Sequence, residues 1–197
     1  MSKKIVLASQ SPRRKQLLEW AEVVFDVLVK PTDESFPADM FVEEIPIHIA
    51  RNKAIALLSD ATYKKYESNA LILAADTIVV LDNSIIGKPT GREDAIDILS
   101  RLSGKKHLVI TGVVLIKGEQ EISFSDTTEV WFHSLTKNQI EFYVDKYQPY
   151  DKAGAYAIQE WIGVIGIQRI EGDFYNVMGL PVSRVVKALE EINSKTG

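Results

Sequence analysis

Apolar runs and chain breakers alternate along the whole sequence, and the spacing within each run separates strands from helices. Ile5–Ala8 is a short unbroken apolar run and reads as a buried strand. Pro12–Ala21 follows as a helix with Leu17 and Leu18 inward, since proline suits a first helical turn, where its missing N–H costs nothing. Val23–Val29 reads as a second strand ended by Pro31, and Thr32–Met40, punctuated by Pro31 and Pro37, as a loop. Pro46 opens a helix through Leu58, with Ile49, Ala50, Ala54, Leu57 and Leu58 on its apolar side. Leu71–Leu81 is a long apolar strand interrupted only by Asp76 and Thr77. Asp82-Asn83-Ser84 turns it back into Ile85-Ile86, and Gly87-Lys88-Pro89 follows.

Further along, Thr90 is placed to cap a helix, with Glu93 completing a capping box and Ala95, Ile98, Leu99 and Leu102 facing the core. Gly104 ends that helix. Leu108–Ile116 and Ile122–Phe132, joined at Lys117-Gly118, read as an antiparallel hairpin. Thr136 caps a helix through Tyr147, Ile162–Ile170 reads as a strand, Glu171-Gly172-Asp173 as a turn, and Pro181 opens a last helix through Ile192. Helices and strands interleave, yet some connections are hairpins. The expected fold is therefore α/β, a mixed twisted sheet with flanking helices. No repeat or obvious linker divides residues 1–197, which read as a single domain of two lobes.

Composition narrows the class. A hydrophobic fraction of 46% and a charged fraction of 25% suit a soluble globular protein. The net charge of −4 provides no general basic field for nucleic acid, so any nucleotide contact must come from a local cluster of cations. The chain has no cysteine, which excludes disulfides and thiolate metal sites. The first apolar run is too short, and meets charge too soon, for a signal peptide or a membrane span. A cytoplasmic location is the expectation.

The candidate chemistry begins where the first strand meets the first helix. Ser9, Ser11, Pro12, Arg13 and Arg14 bring two hydroxyls, a helix N-terminus and two guanidinium groups together, a combination that attracts phosphate. An ordinary surface helix start is the other reading, although cations there oppose the helix dipole. Asp76 is the sharpest single position, because a carboxylate among residues that would otherwise fill a core is costly unless paired, hydrogen-bonded or metal-bound. It is read either as a core aspartate satisfied by backbone amides or as a metal ligand or general base. Lys88 is held in a Gly-Lys-Pro turn. Arg51 and Lys53 lie two apart on one helix, so one faces inward when the other faces out. Glu34 stands in the proline-flanked loop, as a polar loop residue or as a second carboxylate able to share a hard divalent cation with Asp76. Gln159, just beyond the small-residue stretch Asp151–Tyr156, has an amide suited to reading a base edge. No two of the histidines cluster, which argues against a zinc site, and none has the signature of a nucleophile's partner.

These motifs occur in a fixed order: Leu7-Ala8-Ser9-x-Ser11-Pro12-Arg13-Arg14, Ala50–Lys53, Ala75-Asp76-Thr77, Gly87-Lys88-Pro89, Leu102-Ser103-Gly104, Thr111-Gly112-Val113, Asp151-Lys152-Ala153-Gly154-Ala155-Tyr156-x-Ile158-Gln159 and Asn176-Val177-x-Gly179-Leu180-Pro181. In that order the chain closely resembles the Maf (septum formation inhibitor) family over nearly its full length. The resemblance implies a fold related to inosine triphosphate pyrophosphatases, with two lobes around a central cleft. It also implies a nucleoside triphosphate pyrophosphatase of the branch acting on dTTP and UTP, which releases a nucleoside monophosphate and pyrophosphate. By the same resemblance Asp76 is the general base, and Arg13, Thr77 and Gln159 bear on substrate choice. Ser11, Arg13, Lys53 and Lys88 lie around the phosphates, and Glu34 joins Asp76 near a divalent metal cation (magnesium, manganese or cobalt). A homodimer, without membrane or nucleic-acid partners, is implied as well. The rival function is a non-catalytic regulator of septum formation acting by protein or nucleic-acid contacts; the acidic net charge argues against the latter. Two departures stand out. Ala157 and Glu160-Trp161 occupy places where glycine is common in the family.

Overall fold

The structure, a computed structural model, describes residues 5–66 and 70–194. In chain order its elements are β1 (Ile5–Leu7), α1 (Pro12–Trp20), β2 (Phe25–Val27), α2 (Ile45–Leu58), β3 (Leu71–Leu81), β4 (Ser84–Ile86) and α3 (Arg92–Leu102). There follow β5 (Lys106–Lys117), β6 (Gln120–Phe132), α4 (Lys137–Tyr147), α5 (Trp161–Gly166), β7 (Ile167–Glu171), α6 (Phe174–Met178) and α7 (Val182–Ser194). The strands form one sheet in the order β2-β1-β3-β5-β6-β7, with β4 on β3. β1 pairs in parallel with β2 and β3, whereas β3–β4 and β6–β7 are antiparallel, so the sheet is mixed as expected. The turn into β4 places Asp82 (φ 49°) and Asn83 (φ 62°) in the left-handed region that Asp and Asn tolerate best among residues with a Cβ.

The chain divides into two compact units: Met1–Asp76, Thr111–Asp126 and Gly179–Gly197 form one, and Thr77–Ile110 with Thr127–Met178 the other. In the first unit the core follows from two periodicities. Val6 on β1 and Ala8 just after it, Ile72 and Ala74 on β3, and Val114 and Ile116 on β5 alternate onto one face of the sheet. Ala50, Ala54 and Leu57 of α2 recur at helical spacing and cover that face. The small alanines let helix and sheet approach closely, and Gly112 carries this furthest. A Cβ at Gly112 would lie 2.2 Å from the Ile47 nitrogen and 2.3 Å from the Pro46 carbonyl carbon. The glycine of the Thr-Gly-Val motif is thus required by the start of α2 passing over β5.

In the second unit α3 buries Ala95, Ile98, Leu99 and Leu102, the face the sequence indicates, and packs on α4, which buries Ile140, Tyr143 and Val144. A bidentate pair joins the two helices at the surface, with Arg92 Nε 2.6 Å from Asp145 Oδ1 and Nη2 3.0 Å from Oδ2. Beneath them His107, Phe132 and Tyr156 meet edge to face, with centroids 5.0–5.4 Å apart.

Several expectations are corrected. Thr90 does not cap α3. Gly91 is the N-cap, and the Asp94 carboxylate reaches back to the Thr90 N–H (2.8 Å) and hydroxyl (3.0 Å) in place of the expected box with Glu93. The helix starts one residue later than the Thr90 signal, which moves the reach-back to the acid at the third helical position. At Thr136 the capping does form, with the Gln139 N–H donating to Oγ1 at 3.3 Å and the Thr136 N–H donating to Gln139 Oε1 at 2.8 Å. The expected strand Ile162–Ile170 is split. Trp161–Gly166 is helical, because the Glu160 carbonyl accepts from Gly163 and Val164, and only from Ile167 does the chain join β6. Burial there has the helical interval, with Ile162 and Gly166 inside and Val164 80% exposed. Leu58, expected on the apolar side of α2, is 39% exposed at the helix end. Short α6 was not legible as a helix.

Candidate active site

In the first unit, three side chains distant in sequence converge. The Lys53 Nζ lies 2.6 Å from Asp76 Oδ1 and 2.7 Å from Glu34 Oε1. Both elements are aimed by their core registers. Asp76 continues the alternation of Ile72 and Ala74 and so faces α2. Lys53 stands three residues after Ala50 and four before Leu57, on the buried stripe of α2. Arg51, turned away from that stripe, pairs instead with Glu121 on the outside (Nη2 to Oε1, 2.7 Å). Lys53 and Asp76 are largely enclosed, with side chains 18% and 15% exposed, while Glu34 on its loop is half-exposed. Asp76 is therefore satisfied by a lysine, rather than by backbone amides.

The segment after β1 is built as a turn onto α1. Ser11 caps the helix, its Oγ accepting the Arg14 N–H at 3.4 Å, and Ser9 Oγ accepts the Ser11 N–H at 3.2 Å. Arg13 is half-buried at the first turn of α1. Arg14, which the sequence groups with Arg13 as a candidate for phosphate, is instead buried. Its Nε donates to the Gly179 carbonyl at 2.8 Å and its Nη1 to Ser9 Oγ at 3.1 Å, tying the serine turn to the Asn-Val-x-Gly-Leu-Pro segment. Burial pulls the Arg14 pKa below its ordinary value, opposed chiefly by the negative charge of Asp76. Three consecutive cations concealed which one turns inward; only the interval from Arg14 to buried Leu17 and Leu18 on one face hinted at it.

Thr77, Lys88 and Gln159 belong to the second unit. Thr77 is half-buried next to Asp76 on β3, and Lys88 and Gln159 are exposed. The Lys88 turn and the small-residue stretch are held to each other, since the Gly154 N–H donates to the Gly87 carbonyl at 3.1 Å. Gly154 has φ +73° and a Cβ there would lie 3.0 Å from Val79 Cγ2, which explains the glycine at the centre of that motif.

Among the described residues no group of three or more His, Cys, Asp or Glu side chains is placed to hold a metal by itself. Asp76 and Glu34 nonetheless supply two hard oxygen donors converging on one point of positive charge. This fits a small divalent cation that takes one or two carboxylates and completes its shell with phosphate oxygens and water. No helix among the described residues is long and apolar enough to cross a membrane.

Residues 4–192 match the family described as Maf-like protein, and the chain belongs to the Maf family. A dTTP/UTP pyrophosphatase of Cytophaga hutchinsonii is 48% identical over 188 residues, covering 95% of this chain and 84% of that protein. A dTTP/UTP pyrophosphatase of Bacteroides thetaiotaomicron is 48% identical over 189 residues, covering 95% of each. One from Porphyromonas gingivalis is 45% identical, covering 95% of this chain and 94% of its own length.

Proposed function

We propose that this protein hydrolyses dTTP and UTP between the α and β phosphates, giving the nucleoside monophosphate and pyrophosphate. The observation that carries the reading is the convergence of Glu34 and Asp76 on the Lys53 ammonium, in a chain whose relatives bear that activity in their names. Asp76 takes the proton of a water as its oxygen bonds to the α-phosphorus, and the bond from that phosphorus to the bridging oxygen breaks as pyrophosphate leaves. Lys53 holds the Asp76 carboxylate in one orientation for that transfer. Ser11, Arg13, Lys53 and Lys88 offset the phosphate charge that grows on the leaving group. Arg13, Thr77 and Gln159 select the nucleotide, with the Gln159 amide against the base. Glu34 and Asp76 would hold a divalent cation (magnesium, manganese or cobalt), which would supply further neutralisation of phosphate charge. A cytoplasmic location, a house-cleaning role toward nucleotides and a link to the arrest of division belong to the same proposal.

The test is pyrophosphate release from a panel of nucleoside triphosphates with each of the three cations. A sharp preference for dTTP and UTP is expected. Absence of turnover on every nucleotide would overturn the reading and favour a non-catalytic regulator.

A further inference from the structure

Glu160 belongs to a network of side chains in the second unit. Tyr143 of α4 is fully buried, and its hydroxyl accepts the Ala157 N–H at 3.2 Å while donating to Glu160 Oε2. Ala157 and Glu160 are the two corners of one turn, because the Glu160 N–H donates to the Ala157 carbonyl at 3.1 Å. Ile158 and Gln159 are its centre. A single hydroxyl thus grips both ends of the turn that carries Gln159. The Glu160 carboxylate is held from a second side by the buried Lys152, whose ammonium lies 3.7 Å from Oε1 and 2.7 Å from Asp151 Oδ1. The back of the turn is closed by Gly163, where a Cβ would come 1.7 Å from the Ile158 carbonyl oxygen.

We propose that Tyr143 and Glu160 are positioning residues that hold the Gln159 turn in the conformation that reads the base, so that nucleotide selectivity depends on this buried clamp. The inference rests on the reading that Gln159 contacts the base. An exposed glutamine on an unrestrained turn loses conformational freedom when it binds, and that loss weakens discrimination. A turn pinned at both corners has already lost it. A glycine at position 160 would have no side chain to take the Tyr143 hydroxyl or the Lys152 charge.

The experiment measures kcat and KM for dTTP and dATP in Tyr143→Phe, Glu160→Gly, Glu160→Gln and Gln159→Ala, and in the double variant Tyr143→Phe/Gln159→Ala. Tyr143→Phe and Glu160→Gly should each lower the dTTP-over-dATP ratio of kcat/KM by about five- to tenfold, the scale of one lost buried hydrogen bond. The change should fall mainly on KM for dTTP. Glu160→Gln should restore the ratio, since its amide oxygen still accepts from Tyr143. Tyr143→Phe should add nothing in the Gln159→Ala background. Should Tyr143→Phe melt, Glu160→Gly carries the test, since the Glu160 side chain is only partly buried. If Gln159→Ala lowers the ratio but the clamp variants do not, or if their effect adds in full to Gln159→Ala, the clamp is overturned and base reading stands. If Gln159→Ala leaves the ratio unchanged, base reading falls and takes the clamp with it.

Discussion

Lys53 and Asp76 meet at 2.6 Å across the interface of α2 and β3, each placed there by the same apolar stripe that packs helix on sheet. The catalytic candidates are thus part of the core register, and a slip of one residue in either element would separate them.

Asp76→Asn keeps the shape of the side chain and removes its capacity to take a proton. Pyrophosphate release from dTTP is expected to fall by at least about a hundredfold, the scale of a general base, with circular dichroism unchanged. Near wild-type release would remove Asp76 from the catalytic role.

Lys53→Met leaves the Asp76 and Glu34 carboxylates facing each other without the ammonium between them. For this largely enclosed pair a loss of about 2 kcal/mol is expected in urea unfolding, less than for a fully buried pair because Glu34 remains half-exposed. Unfolding should be eased less in Lys53→Met/Glu34→Gln, which removes one of the opposed charges.

Gly112→Ala forces a methyl group against the backbone of Pro46 and Ile47, which cannot rotate away. A destabilisation of about 3 kcal/mol is expected. Gly87→Ala is the control: nothing lies within 4 Å of the added Cβ. The urea midpoint should move for the first variant only.

His107 is buried against Phe132 and Tyr156, with its Nε2 2.7 Å from the Tyr156 hydroxyl, and burial lowers its pKa from 6.5 to about 4. The unfolded chain therefore binds a proton that the folded protein refuses as pH falls between those values. Stability is complete above pH 6.5 and declines by about 3 kcal/mol on acidification to pH 4. Unfolding free energies of His107→Gln measured across this range should show a shallower slope by that amount. An unchanged slope would mean that His107 is protonated in the fold.

Strands β1 and β3, helices α1 and α2 and the mixed character of the sheet were legible in the spacing of apolar residues, because burial of one face imposes a period on local sequence. Asp76 was legible too, as a charge where the pattern called for an apolar residue. Arg14 was not, since three neighbouring cations look alike until the Gly179 carbonyl and Ser9 hydroxyl pick one of them. The run Ile162–Ile170 misled for a related reason: β-branched residues favour a strand, but the fit of Gly163 against Ile158 decides for a helix as far as Gly166.

By itself the sequence determined the family, the fold class and which residue types are available for phosphate and base. Only the tertiary structure decided which of them meet. Glu34, Lys53 and Asp76 come from a loop, a helix and a strand, and Tyr143 joins Ala157 to Glu160 across a helix and a turn. Periodicity reports which face of an element is buried, but not what lies opposite, because partnership is set by packing between segments that share no local pattern.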